Sequence, residues 1–412
     1  MTALLLLPAA GLRAQEAVPG ERRSDRLFRW LQQGRGDSLY AAADSTLRAR
    51  TAPVLLSGMY RQLEATCGPL RQAGPWSVQR AGALTVEERR LSFERAALTL
   101  RFVYDAAGRL SGFFALPAAP AAQADTAGCI ERDTVLTCGP VRLPATLCLP
   151  ARRTGRVPLV VFVHGSGPND RDETLGPNKL FRSMARALAR GGVASLRYDK
   201  RTYVYRGERF VEVSGRTDYD TETVDDAVAA LALARTLPEA APDSLYVVGH
   251  SLGAALAPRV AARAAVPPAG IVLLAAPARP FEESLRSQLH YIARLQGTDP
   301  SQADSAAQRM TASLPAEYVA MARRYDPVAT ARNLTLPILV VQGSHDYQVT
   351  AADFDRWWTL LRDRSAVRFA WLPGLDHLMR PLPAMARPED YARYVALSPD
   401  AVQAVLRFVR GR

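Results

Sequence analysis

The chain has 412 residues, of which 48% are apolar, and a formal net charge of +12. That length and that apolar content support a full core and two domains, and they exclude wholesale disorder. Lysine stands only at Lys179 and Lys200, the other basic residues being arginine. These are scattered among acids with no basic helix or aromatic–basic ladder, so the charge does not predict a nucleic-acid surface.

Residues 1–14 read as a secretory leader. Leu4 to Leu7 form a short apolar run, and the Leu12-Arg13-Ala14 stretch offers a cleavage site after Ala14. The run is too short to span a bilayer, so the expectation is an exported protein, periplasmic or secreted, with no stable membrane anchor. Residues 25–118 form a separate small module. Phe28, Leu31, Leu39 and Leu47 mark helical segments broken at Gly34 and Gly36, and Val54, Leu55, Met59 and Leu63 suit another helix ending at Gly68-Pro69. From Trp76 onward the pattern changes to strands. Residues 98–104 alternate, Asp105 to Gly108 turn, and 110–116 return, which predicts α+β. Residues 119–128, rich in Ala and Pro, are a linker by composition.

Residues 129–412 carry a second, larger pattern. A hairpin over 129–138 and 141–149, turning at Gly139-Pro140, opens it as an antiparallel edge. The chain has four cysteines, Cys67, Cys129, Cys138 and Cys148. In an exported protein they can pair. The hairpin favours Cys129 with Cys148, and reduced buried thiols are the alternative. Val157 to Val163 is a buried-strand run leading into His164-Gly165-Ser166-Gly167-Pro168-Asn169-Asp170-Arg171-Asp172. A helix over about 178–190 and a strand over 193–198 follow. Strand–helix alternation of this kind is the mark of a doubly wound, mostly parallel sheet. Residues 202–220 interrupt it as either a substrate-facing loop or a solvated insertion. A helix over 221–237 is expected next, capped by Thr221 or Thr223.

The centre of the pattern is the β-branched run ending in Gly249-His250-Ser251-Leu252-Gly253, followed by small apolar residues. It reads as strand, sharp turn and helix with Ser251 at the apex. The serine backbone is strained there, and its neighbours must be small for strand and helix to approach. The turn also aims the first helical N–H groups at the point where the hydroxyl emerges. A strand over 270–276 follows. Residues 279–332 are too long for a simple crossover and read as a helical cap, with Leu285, Leu289, Ile292 and Leu295 at helical spacing. Residues 336–342 form a strand ending at Gly343-Ser344-His345-Asp346. Residues 367–372 form the last strand, before a loop carrying Asp376 and His377, and a helix over 399–410 closes the chain.

Residues 126–412 resemble bacterial α/β-hydrolases of the carboxylesterase and serine-aminopeptidase-like group. The resemblance is carried by 164–172, Tyr198-Asp199-Lys200-Arg201, 249–253, 343–349 and Leu375-Asp376-His377-Leu378. The module over 25–118 is similar to the small cone-shaped modules of the nuclear-transport-factor-two type. The resemblance implies an α/β fold with a mostly parallel doubly wound sheet and a cap over about 279–332, preceded by a small α+β domain. It implies catalytic residues in the order Ser, Asp, His. There are five histidines. After Ser251 and a strand-end acid, the one in order is His377, which makes Ser251, Asp346 and His377 the expected catalytic set. The oxyanion donors implied are the backbone N–H groups of Ser166, with Gly167 as the near alternative, and Leu252. His164 and His290 are expected to be structural, and Asp353 and Asp355 to be surface charges.

The activity implied is hydrolysis of small carboxylic esters. A serine peptidase on the same residues is the alternative, with Glu282 or Glu283 anchoring the substrate amine, and a non-catalytic binding protein is a third reading. Partners are then a small-molecule ester or a short peptide, and no nucleic acid. No H-E-x-x-H or C-x-x-C cluster occurs, so no metal and no cofactor are expected.

Overall fold

The computed structural model describes residues 21–49, 51–81, 84–117, 128–205 and 207–411. The expected leader lies outside the described residues, as does nearly all of the expected linker. The chain divides into two compact units, residues 1–120 and 121–412.

In the first unit four helices, α1 (Arg23–Gln32), α2 (Gly36–Ala42), α3 (Ser45–Arg48) and α4 (Pro53–Cys67), precede an antiparallel sheet. Its strands are β1 (Leu70–Ala81), β2 (Leu84–Phe93), β3 (Ala97–Tyr104) and β4 (Leu110–Pro117), in that order. Alternate residues of β3, Leu100, Phe102 and Tyr104, point into the core against Leu27, Phe28 and Leu31 of α1. The buried face of α4 is Leu56, Tyr60 and Cys67, while Val54 and Leu55 are exposed. The apolar face is thus rotated from the one the sequence suggested, because α4 must meet the sheet with its aromatic side.

In the second unit the hairpin β5 (Cys129–Cys138) and β6 (Val141–Pro150) leads to β7 (Val157–Val163) and a short two-stranded ladder, β8 (Thr174–Leu175) with β9 (Asn178–Lys179). Then come α5 (Leu180–Arg190), β10 (Ala194–Tyr198), α6 (Arg201–Val204), α7 (Glu208–Ser214), a π turn over Asp220–Val224, α8 (Asp225–Thr236), β11 (Ala240–His250), α9 (Leu252–Arg263) and β12 (Gly270–Leu274). Helices α10 (Phe281–Gln296), α11 (Pro300–Ala312), α12 (Ala316–Arg324) and α13 (Pro327–Arg332) precede β13 (Ile338–Gly343), α14 (Ala351–Leu361), β14 (Val367–Leu372) and α15 (Pro399–Val409).

The main sheet runs β14-β13-β12-β11-β7-β10-β6-β5. From β14 to β10 every pairing is parallel, and β6 and β5 add the antiparallel edge. Its central strands are apolar throughout because both faces are covered. Leu159, Val161 and Val163 of β7 face the side of α8 and α9. Val160 and Phe162 face α5 and α15. The chain leaves β7 for β10 on one side and returns to β11 on the other. The crevice at the C-terminal ends of β7 and β11 is therefore the switch point where ligands bind in open α/β sheets.

All four cysteines are free. The β5–β6 register sets Cys129 against Pro150 and Cys148 against Glu131, two residues away from the pairing the hairpin favoured. Burial pushes the Cys148 thiol up to about 12. The expected helix over 221–237 starts instead as the π turn, with Thr221 and Thr223 inside it. Its N-cap is Tyr219, and Asp218 just before it accepts the Thr221 N–H on Oδ1 at 2.9 Å. Asp353 is a second correction. It is fully buried, and its carboxylate accepts from the backbone N–H groups of Ala278 and Arg279 (3.0 Å each) and pairs with the Arg279 guanidinium at 2.9 Å. Among the described residues no helix is long and apolar enough to cross a membrane.

Candidate active site

Ser251 follows the last residue of β11 and precedes α9. Its φ of 53° and ψ of −122° lie where L-residues are rarely found. Such strain costs about 1–3 kcal/mol and survives only where the surroundings leave no alternative. Here the two flanking glycines enforce it. A Cβ on Gly249 would sit 2.3 Å from Gly253 O, and one on Gly253 would sit 2.1 Å from Val163 O. The Ser251 N–H donates to Leu274 O at 2.9 Å, tying the turn to β12.

Asp346 lies just beyond β13 and is 1% exposed. Its Oδ1 accepts the N–H groups of Gln348 (2.8 Å) and Val349 (3.0 Å), and its Oδ2 accepts Gln342 Nε2 at 3.3 Å and His377 Nδ1 at 2.7 Å. The carboxylate is acceptor-only, so His377 carries its proton on Nδ1 and presents Nε2 as the free base. The His377 ring lies 4.7 Å from that of His250, the residue before Ser251. Asp376 does not share in this pair. It is fully buried and accepts from Arg380 at 2.6 and 2.9 Å and from the N–H groups of Leu378 and Arg380.

Ser166 and Gly167 sit on the loop after β7. Gly165 packs against the serine turn closely enough that a Cβ there would lie 3.2 Å from Ser251 Cβ. Three buried or half-buried side chains hold this loop. Gly165 donates its N–H to Glu173 Oε1 at 2.7 Å, and its carbonyl accepts from Lys200 Nζ at 2.9 Å and from Asn169 Nδ2 at 3.2 Å. Lys200, 1% exposed, also pairs with Glu222 at 2.8 Å. Ser166 and Leu252, the expected donors, both border the same cavity as Ser251.

That cavity is about 900 Å³. Its walls come from the segment between β10 and α8 (Tyr205, Phe210, Tyr219) and from the expected cap over 279–332 (Leu285, Leu314, Tyr318, Tyr325). Side chains from the expected 202–220 segment, such as Thr202, Val211 and Thr217, therefore also line the cavity. Tyr219 meets Tyr318 edge-on at 4.9 Å, joining this segment to the cap. Among the described residues lining the cavity only Glu222 is acidic, and Lys200 pairs with it. Glu282 and Glu283 are spent elsewhere, on Arg323 at 2.6 Å and Arg279 at 3.4 Å.

Of the remaining histidines two hold backbone and one pairs with a side chain. His164 is buried, its Nε2–H donating to Asp170 O at 3.1 Å, and burial pulls its pKa down to about 4. His345 Nδ1 lies 2.9 Å from Leu382 O, and His290 pairs with Asp304 at 2.9 Å. Sequence reasoning gave Glu173 and Glu222 no role, and placed Lys200 and His250 only within the 198–201 and 249–253 stretches. The one usable signal was Lys200, one of two lysines in the chain, two residues after the strand at 193–198.

A mostly parallel sheet with a strained serine turn at the C-terminal end of a central strand defines the α/β-hydrolase class of protein. The sequence pattern of the alpha/beta hydrolase family matches residues 160–394, and the chain belongs to that family. It is 28% identical over 389 residues to esterase EstD of Thermotoga maritima, covering 90% of this chain and 91% of that one. Among solved structures, Est1E from Butyrivibrio proteoclasticus is 17% identical and covers 68% of this chain and 98% of its own, with a TM-score of 0.45. An esterase of Pyrococcus furiosus is 15% identical and covers 68% and 91%, with a TM-score of 0.48.

Proposed function

We propose that this protein is an esterase that cleaves small carboxylic esters through an acyl-enzyme on Ser251, with His377 as base and Asp346 as its orienting carboxylate. The observation that carries the reading is the buried 2.7 Å pair of His377 Nδ1 and Asp346 Oδ2 beside a strained serine turn that borders an apolar-walled cavity. The likeness to an esterase along nearly the whole chain supports the ester as substrate.

The chemistry follows from the protonation states. Ser251 Oγ attacks the acyl carbon while its proton passes to His377 Nε2, and the carbonyl oxygen becomes an oxyanion. The N–H groups of Ser166 and Leu252 are the proposed donors to that oxyanion; losing one such donor typically costs about 100- to 1000-fold in rate. Asp346 stabilises the imidazolium without taking its proton. The proton then goes to the leaving alcohol, the ester C–O bond breaks, and the acyl group stays on Ser251. Water attacks next, again giving its proton to His377, and the acid leaves as the Ser251 hydroxyl is restored.

The peptidase reading loses its amine anchor, because Glu282 and Glu283 pair with arginines and do not line the cavity. The test is turnover of p-nitrophenyl acetate and butyrate beside aminoacyl p-nitroanilides, with Ser251→Ala as control. Ester turnover that Ser251→Ala abolishes, with the anilides untouched, is the expected result. Comparable anilide cleavage overturns the ester preference, and a fully active Ser251→Ala overturns the nucleophile.

A further inference from the structure

Glu173 and His250 form a buried pair that touches three loops of the site. Glu173 is 6% exposed and His250 is 3% exposed. Glu173 is also one of the few non-glycine residues with positive φ, at 50°. Strain of that kind persists only where neighbouring interactions over-determine it. Its Oε1 accepts the Gly165 N–H at 2.7 Å, on the residue before Ser166. Its Oε2 lies 3.0 Å from His250 Nδ1, an ion-pair contact off the line of a regular hydrogen bond. His250 is the last residue of β11 and adjoins Ser251. Its Nε2 lies 2.9 Å from the backbone carbonyl of His377. One carboxylate and one imidazole thereby connect the loop after β7, the serine turn and the loop that carries His377.

The carbonyl of His377 can only accept, so His250 Nε2 carries a hydrogen. The Glu173 carboxylate 3.0 Å from Nδ1 favours a second one there, which would make His250 an imidazolium inside the protein. The groups around it are consistent with this. Glu173 faces it from the loop after β7, Phe181 of α5 presents its ring edge-on at 6.5 Å, the His377 ring lies 4.7 Å away, and the Asp346 charge also acts on it. Burial alone would lower the His250 pKa, but the Glu173 charge and the His377 carbonyl more than offset it, and the net shift is upward. Burial alone would raise Glu173, the His250 charge opposes it, and the net shift is downward. Opposite shifts of this sign mark a stable ion pair.

We propose that Glu173 and His250 are positioning residues for ester hydrolysis: a buried carboxylate–imidazolium clamp that fixes the Ser166 loop and the backbone of His377 relative to Ser251. This rests on the catalytic reading above. Neither residue borders the cavity, so the clamp acts through the residues it holds and not through the substrate.

Two measurements test it. The first is side-chain ¹⁵N NMR of the histidines in the wild type at about pH 8, well above the ordinary histidine pKa of about 6.5. One ring is expected to remain doubly protonated, to disappear in His250→Gln, and to become neutral in Glu173→Gln, whose amide can still accept from Gly165. The second is steady-state hydrolysis of p-nitrophenyl butyrate. In both variants kcat is expected to fall about 10- to 100-fold, as for misplacements of up to about 1 Å, while KM moves less than about threefold. If every imidazole in the wild type is neutral at that pH, the charged clamp does not exist, a result that needs no variant to fold. Folded variants with wild-type kcat overturn the positioning role. A fully active Ser251→Ala instead overturns the catalytic reading, and the clamp's role in hydrolysis falls with it, whatever the NMR shows.

Discussion

Gly253→Ala tests the physical basis of the serine turn. A Cβ at this position would stand 2.1 Å from Val163 O, 2.4 Å from His164 O and 2.6 Å from Val163 C, all backbone atoms with no rotamer to adjust. An ordinary contact begins at 3.4 Å, so α9 and the end of β7 must part by about 1.3 Å. Overpacking a closed interior of this kind costs about 1–3 kcal/mol. The same shift moves Ser251 and Leu252 away from the Gly165–Ser166 loop. A displacement near 1 Å at a reacting centre costs about 100-fold in rate. The expected result is therefore a loss of about 100-fold in kcat/KM on p-nitrophenyl butyrate, with a lower urea midpoint. Gly155→Ala is the control, since a Cβ there meets nothing within 4 Å and its φ is not positive. A Gly253→Ala protein within about twofold of wild type in both measurements would refute the claim that strand–helix contact enforces the turn.

Asp346→Asn keeps the shape of the His377 partner but offers an amide where Nδ1–H needs an acceptor. The expected loss in kcat is about 10⁴-fold with KM little changed, read from steady-state kinetics. Arg380→Met leaves Asp376 fully buried without its counter-charge, which is expected to cost about 3–5 kcal/mol in urea unfolding. His164 links stability to pH. Its folded pKa of about 4 lies below the unfolded value, so the unfolded chain binds more protons between the two. The contribution is complete above about pH 6.5 and is lost as pH falls toward 4, at up to about 1.4 kcal/mol per pH unit and about 3 kcal/mol in all. Urea unfolding from pH 7 to 4.5 is therefore expected to show a flatter profile for His164→Asn than for the wild type. His250 works in the other direction. Its raised pKa makes its contribution complete below about pH 6.5 and lost as pH rises through the folded value.

What could be read directly was whatever short-range chemistry dictates. The run into Gly249, the serine and Gly253 specify a strand, a strained turn and a helix, because only glycine leaves room for the backbones that meet there. Apolar runs at 157–163, 270–276 and 336–342 specify buried parallel strands, observed at 157–163, 270–274 and 338–343, since such strands have no solvent face on which to place polar residues. The ends of β7, β11 and β13 place the Ser166 loop, Ser251 and Asp346 at the C-terminal side of the sheet.

Tertiary structure decided where the charges go. Glu173 sits in a polar stretch, Asn169 to Thr174, yet its carboxylate is buried between Gly165 and His250. Asp353 reads as a surface acid of a helix, and is instead sealed beneath Arg279. The inward placement of Tyr205, Phe210 and Tyr219 is likewise a matter of distant partners, Tyr219 meeting Tyr318 from the far side of the cavity. A charged side chain is buried only when a partner from another part of the chain offsets its desolvation. Local periodicity carries no record of that partner, so the backbone of the site was legible in the sequence and the ionic frame that holds it was not.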